Sequence, residues 1–135
     1  MATKVLDSWA LMAFFEDEPA AGEVEQLLVK AESGIHRLLL GVVNWGEIYY
    51  STMRRASRDT AEEKALQIAG LNIELVPVET DLRLARQAAI FKATKRFSYA
   101  DAFAAALAKI NNAELVTGDS EFRQLEHEIK IDWLK

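Results

Sequence analysis

Short apolar runs alternate with amphipathic stretches along the whole chain, and turn residues punctuate them. That alternation constrains the fold most, because it is the pattern of a parallel sheet with crossover helices. Lys4–Leu6 is the first expected strand and Ser8–Phe15 the first helix. A second helix over Ala20–Ser33 ends at Gly34, and a strand over His36–Leu40 stops at Gly41. Val43–Arg55 and Thr60–Ala69 read as a helical pair closed by Gly70. A strand over Ile73–Val78 and a helix over Asp81–Thr94 follow. Ser98–Ile110 is an alanine-rich helix, Glu114–Thr117 a strand, Glu121–Leu125 a helical turn and Ile129–Trp133 the last strand. The expected class is α/β, in a single domain spanning residues 1–135, long enough for a substantial core.

Composition narrows the chemistry. The chain has no cysteine, which excludes disulfides, thiolate catalysis and iron–sulfur ligation. Imidazole could come only from His36 and His127, which stand apart. A bound metal must then be a hard ion held by oxygen, Mg²⁺ or Mn²⁺ before Zn²⁺. The net charge of −5 argues against a general nucleic-acid coat protein, which is normally basic. It leaves room for a nuclease, whose bound metal offsets an acidic site. The apolar run Trp9–Phe15 is too short to span a bilayer, so the expectation is a cytoplasmic protein without membrane contact.

Four acids fall where an α/β fold gathers functional groups: Asp7, Glu47, Asp101 and Asp119. Asp7 and Asp119 follow expected strands, at the sheet edge where such folds bind ligands. Glu47 and Asp101 lie in the first turns of helices that start at that edge. Each alone has a capping explanation. Ser98-Tyr-Ala-Asp101 and Asn44-Trp-Gly-Glu47 both fit the capping box, and Asp7 and Asp119 could be N-caps. Yet Ser8 and Ser120 could cap in place of the acids beside them, and Glu47 shares a stripe with Val43 and Tyr50. Asp101 opens a helix apolar enough to be largely buried, where an acid needs a partner. Carboxylates about 5 Å apart repel by about 3 kcal/mol per pair at an effective dielectric of about 20. Protons or a divalent cation must neutralise such a cluster, and at neutral pH the cation is favoured.

Four blocks together resemble the PIN domain family, and within it the VapC-type toxins of type II toxin–antitoxin pairs. They are Val-Leu-Asp-Ser-Trp-Ala-Leu, Asn-Trp-Gly-Glu-Ile-Tyr-Tyr, Ser-Tyr-Ala-Asp-Ala-Phe-Ala and Glu-Leu-Val-Thr-Gly-Asp-Ser-Glu-Phe, in that order. The resemblance implies a three-layer α/β/α domain with a central, mostly parallel sheet of about five short strands. It implies a Mg²⁺- or Mn²⁺-dependent endoribonuclease that uses metal-activated water and leaves a 5′-phosphate and a 3′-hydroxyl. Asp7, Glu47, Asp101 and Asp119 become the catalytic acids, with Asp7, Asp101 and Asp119 holding metal and Ser8 and Thr117 in support. It also implies a cognate antitoxin, whose C-terminal segment lies along the Trp9–Phe15 helix, and a homodimer formed near Tyr49–Met53.

Substrate phosphates must meet local positive charge, and two clusters offer it. Arg54, Arg55 and Arg58 follow the Glu47 helix, and Lys92, Lys95 and Arg96 precede Asp101. Solvated basic faces explain either cluster equally well. Trp9, Trp45, Tyr49 and Tyr50 could stack on unpaired bases, although packing is the favoured role for Trp45 and Tyr49. Receiver-type and haloacid-dehalogenase-like domains fit poorly, since Asp7 has no adjacent acid and Trp9 stands where the latter needs aspartate. A housekeeping RNA-processing PIN nuclease and a non-catalytic PIN module binding RNA or protein are the alternatives.

Overall fold

The computed structural model describes residues 2–135. Its elements are β1 (Ala2–Leu6), α1 (Ser8–Phe15), α2 (Ala21–Glu32), β2 (His36–Gly41), α3 (Val42–Arg55) and α4 (Arg58–Ala69). Then come β3 (Glu74–Val76), α5 (Arg83–Thr94), α6 (Tyr99–Ile110), β4 (Glu114–Thr117), a 3-10 turn (Ser120–Leu125) and β5 (Lys130–Trp133). All strand pairs are parallel, in one sheet of order β3-β2-β1-β4-β5. The chain winds from β1 out to β3, then crosses back to lay β4 and β5 on the other side of β1. The winding therefore reverses between β1 and β4, and ligands bind at the carboxyl ends of strands at such a reversal.

Register sorts the apolar residues onto two faces. Val5 pairs with Leu39 and with Leu115, and all three join Leu84, Phe91 and Leu107 of α5 and α6 in one core. Neighbouring residues in a strand point to opposite faces. Leu6, Leu38, Leu40 and Val116 accordingly enter a second core with Leu11, Val24, Ile48 and Ile68 from α1 to α4. Both faces are thus covered, as an all-parallel sheet requires. Lys4 is nearly buried towards the other end of β1 and pairs with Asp132 at 2.7 Å and Glu114 at 3.3 Å. The sheet thereby binds its one inward cation on β1 away from the carboxyl edge, leaving the acids at that edge without it.

Two of the elements that are shorter than the sequence suggests have a visible cause. The expected strand over Ile73–Val78 pairs only across Glu74–Val76, since it lies at the sheet edge and has β2 alone as a neighbour. α5 begins at Arg83 rather than Asp81 because Leu82 takes a left-handed φ of 70° that a continuing helix cannot hold. Among the described residues no helix is long and apolar enough to cross a membrane.

Candidate functional site

β1 ends at Leu6, and the next residue, Asp7, turns the chain into α1 as its N-cap. Its Oδ1 accepts the Ala10 amide at 2.8 Å, satisfying one of the amides that a helix start leaves free. Its Oδ2 accepts the Thr117 hydroxyl at 2.5 Å, across the β1–β4 junction. Asp7 is only 1 % exposed. Burial is the main reason its pKa is pushed up to about 7; the Thr117 and Ala10 hydrogen bonds oppose the rise, and Asp101 and Asp119 add to it.

Thr117 closes β4 and joins two acids. While its hydroxyl donates to Asp7, its oxygen accepts the Asp119 amide at 3.0 Å. Asp119 in turn caps the 3-10 turn, accepting the Glu121 amide at 2.9 Å. Asp101 enters from α6 through a complete capping box: Ser98 Oγ accepts the Asp101 amide at 3.1 Å, and Asp101 Oδ2 accepts the Ser98 amide at 3.4 Å. Burial first, then the Asp119 and Glu47 charges, raise the Asp101 pKa to about 6 against the Ser98 hydrogen bonds.

Asp7, Asp101 and Asp119 are thus caps as well as members of a cluster, and the two roles coexist because a carboxylate accepts more bonds than a cap uses. Ser8, which could have served as the cap, donates instead to the Asn44 carbonyl at 3.3 Å. The Asn44 capping box does not form. β2 runs straight into α3 with Gly41 as N-cap, so Asn44 is already inside the helix and Glu47 lies a turn further on. Asn44 is buried and bridges elements, donating to Ser8 Oγ at 3.3 Å and to the Ala100 carbonyl at 3.1 Å. It ties the residues beside Asp7 and Asp101 to each other. Its type and spacing fit a cap, and pattern does not reveal which neighbour a side chain meets.

Asp101, Asp119 and Glu121 each bring a carboxylate oxygen within 4.8 Å of the other two. Glu121 is the acid sequence reasoning missed; its position two residues after Asp119 was the available signal. Asp7 lies beneath, linked to Asp119 through Thr117, and Glu47 lines the same cleft as Asp101 and Asp119. Among the described residues, no lysine or arginine pairs with any of these five acids. Converging, unpaired carboxylates of this kind suit a hard divalent cation, for which oxygen is the preferred donor. Asp101, Asp119 and Glu121 are placed to hold one.

The acids open into a cleft of about 570 Å³ that also takes in Trp9, Tyr50, Arg54 and Arg55. The Arg54 guanidinium sits over the Tyr50 ring at 5.0 Å, and Arg55 pairs with Glu16. The second basic cluster lies elsewhere: Lys92 bonds the Phe97 carbonyl at 2.9 Å, Lys95 faces Glu128 at 4.0 Å, and the Arg96 backbone is clasped by Gln124. Trp45 and Tyr49 stack on each other at 5.5 Å and Trp45 packs against the second core, which fits their packing role. A second groove, of about 460 Å³, lies beside the cleft and shares Trp9, Met12 and Arg55 with it; it adds Ala13, Pro19 and Ala20 together with the charged Glu16, Glu18 and Lys135.

Trp9 owes its position to Gly118. A Cβ on Gly118 would lie 2.2 Å from Cη2 of the indole and 2.4 Å from Cζ3, so the ring rests directly on the Thr117–Asp119 turn. Gly118→Ala must displace the ring or the turn. The expected result is a loss of about 1–3 kcal/mol, as overpacking typically costs, read as a lower midpoint in urea denaturation with a shifted tryptophan emission.

The fold and its acid-lined edge define an α/β domain with a group of carboxylates that could hold a metal ion at the carboxyl ends of its strands. The PIN domain family profile matches residues 4–128, and the chain belongs to that family. No curated protein sequence matches the chain significantly. Among solved structures it is similar to VapBC2 from Rickettsia felis, bound to a promoter DNA fragment (12% identity, 98% of this chain and 99% of that one, TM-score 0.73). It is similar to VapBC-5 of Mycobacterium tuberculosis, a member of the VapBC family of toxin–antitoxin systems (19% identity, 100% and 99% coverage, TM-score 0.59). It is also similar to VapC20 of the same organism, a sarcin–ricin loop cleaving toxin (16% identity, 90% and 93% coverage, TM-score 0.70). At these identities the likeness concerns the fold.

Proposed function

We propose that this protein is a Mg²⁺- or Mn²⁺-dependent endoribonuclease and the toxin of a toxin–antitoxin pair. The observation that carries the reading is the set of unpaired acids at the β1–β4 reversal of a PIN domain, with Asp101, Asp119 and Glu121 within 4.8 Å. Asp101 and Asp119 hold the cation, with Glu121 completing the set on its exposed side; Asp7 supports it from below. A divalent ion bound there supplies Lewis-acid activation of water and neutralises charge building at phosphorus. Glu47 orients the attacking water, and Thr117 and Ser8 hold Asp7 and the start of α3 in register. Arg54, at the mouth of the cleft, receives phosphate oxygens. Attack by water leaves a 5′-phosphate and a 3′-hydroxyl.

The toxin role is supported by the likeness to VapBC proteins and to an RNA-loop-cleaving toxin. The apolar groove along Trp9, Met12 and Ala13 is the seat for an antitoxin segment, whose basic side chain would reach the acids through the shared wall. Exposed Met53, in the Tyr49–Met53 stretch and outside the cleft lining, supplies apolar surface for a homodimer. The purified protein is expected to cut a labelled RNA with Mn²⁺ or Mg²⁺, to lose that activity in EDTA, and to regain it with excess Mn²⁺. The new 5′ ends should ligate without prior phosphorylation. Cleavage that persists in EDTA, or 5′ ends that need phosphorylation before ligation, would defeat the proposal.

A further inference from the structure

The acid cleft carries more than acids. Trp9 is 39 % exposed and Tyr50 47 % exposed, and both line it alongside Asp101, Asp119 and Arg54. The two rings supply most of the apolar lining of the cleft, and neither is loose. Trp9 is seated on the Gly118 backbone, and Tyr50 carries the Arg54 guanidinium on its ring. A fixed aromatic surface gives a flat ligand a platform that needs little further ordering.

The chemistry of the lining identifies the ligand class. Apart from Met12 the cleft offers no aliphatic surface; the rest is serine, acid, arginine and the two aromatic rings. An apolar peptide segment would find its partners in the adjoining groove, where Ala13, Pro19 and Ala20 lie. A nucleotide combines a flat apolar face with a charged phosphate, and it matches rings beside arginine and a metal-capable acid set. We infer that Trp9 and Tyr50 form a base-stacking subsite for an unpaired nucleotide next to the scissile phosphate. Stacking there needs a base with a free face, which a nucleotide within a duplex does not offer. This deepens the nuclease reading and rests on it for the position of the phosphate.

Binding tests the subsite independently of cleavage. The Asp101→Asn protein, expected to cut little, is titrated in magnesium buffer with three fluorescein-labelled probes: an oligoadenylate of about twelve residues, the same backbone without bases, and the oligoadenylate–oligouridylate duplex. The oligoadenylate is expected to bind roughly 5- to 100-fold more tightly than the baseless strand, the range of single stacking contacts. Trp9→Ala and Tyr50→Ala should each erode that margin without changing the affinity for the baseless strand. Trp9→Phe and Tyr50→Phe should keep most of it. Tyr50, being exposed, can be truncated without risk to the core. Equal binding of the strands with and without bases overturns the inference, as does preference for the duplex or an equal loss on both strands in the alanine variants. Alanine variants that bind every probe like the parent also overturn it and leave Trp9 to a protein partner. A base-dependent margin in a protein that never cuts RNA would refute the nuclease reading and leave the subsite standing.

Discussion

Asp101→Asn is expected to reduce metal-dependent RNA cleavage by about a thousandfold or more, equivalent to about 4 kcal/mol of barrier. The substitution isolates charge from structure. Asp101 sits at the third position of α6, where its Oδ2 accepts the Ser98 amide and its own amide bonds Ser98 Oγ. An asparagine amide oxygen accepts the same bond, so the helix start survives. What disappears is one anionic ligand of the group formed with Asp119 and Glu121. Thermal denaturation should show Asp101→Asn at least as stable as the parent, because its charge is held against burial and against Asp119. A folded Asp101→Asn protein that still cuts RNA at the parental rate would remove this carboxylate from the mechanism. Glu121→Gln, by contrast, should mainly raise the Mn²⁺ concentration needed for half-maximal rate, since Glu121 is exposed at the edge of the group.

Much of this arrangement was legible beforehand, and the parts that were not share a cause. α1 and β4 fall on Ser8–Phe15 and Glu114–Thr117 as expected, because a capping acid and Gly118 mark their ends in the sequence. The edge strand β3 was overextended because apolar character continues past the residues that find a partner. The convergence of Asp7, Asp101 and Asp119 follows from their position after strands and at a helix start, where topology determines location. Glu121 was missed because its place in a helical turn gives no hint that its carboxylate reaches Asp119. The bridging role of Asn44 was not visible because a cap and a buried bridge draw on the same residue types. Periodicity reports which face a residue is on; it is silent about which atoms meet across elements. The depth of Asp7 belongs to the same blind spot. Its position after a strand says nothing of burial, whereas the Thr117 hydroxyl and the Ala10 amide enclose it.

That enclosure leads to a large effect on stability. The Asp7 pKa of about 7 stands well above the roughly 3.9 of an unfolded aspartate. Metal-free protein should therefore hold the Asp7 proton more tightly when folded. The contribution to stability is fully present below about pH 4 and is lost progressively as pH rises to about 7. A shift of this size corresponds to a loss on the order of 4 kcal/mol at neutral pH, from about 1.4 kcal/mol per pH unit. Asp101, with its pKa near 6, adds a loss of the same sign over a narrower window. Asp7→Asn abolishes the first term. Its amide oxygen can accept the Ala10 amide, and its amide nitrogen can donate to Thr117 Oγ1. The variant should consequently melt about 10–20 °C above the parent at pH 7.5 without metal, with the difference closing towards pH 4.5. Other acids and Lys4 titrate in both proteins, so the difference between the two melting curves reports Asp7 itself. Curves that stay parallel from pH 4.5 to 8 would show that Asp7 ionises without cost. Saturating Mn²⁺ should stabilise the parent more at pH 7.5 than at pH 5, because cation binding is linked to the ionised carboxylates. The acid that weakens the empty fold is in this way part of what makes the site bind a cation, and removing it should give a sturdier protein with little or no cleavage.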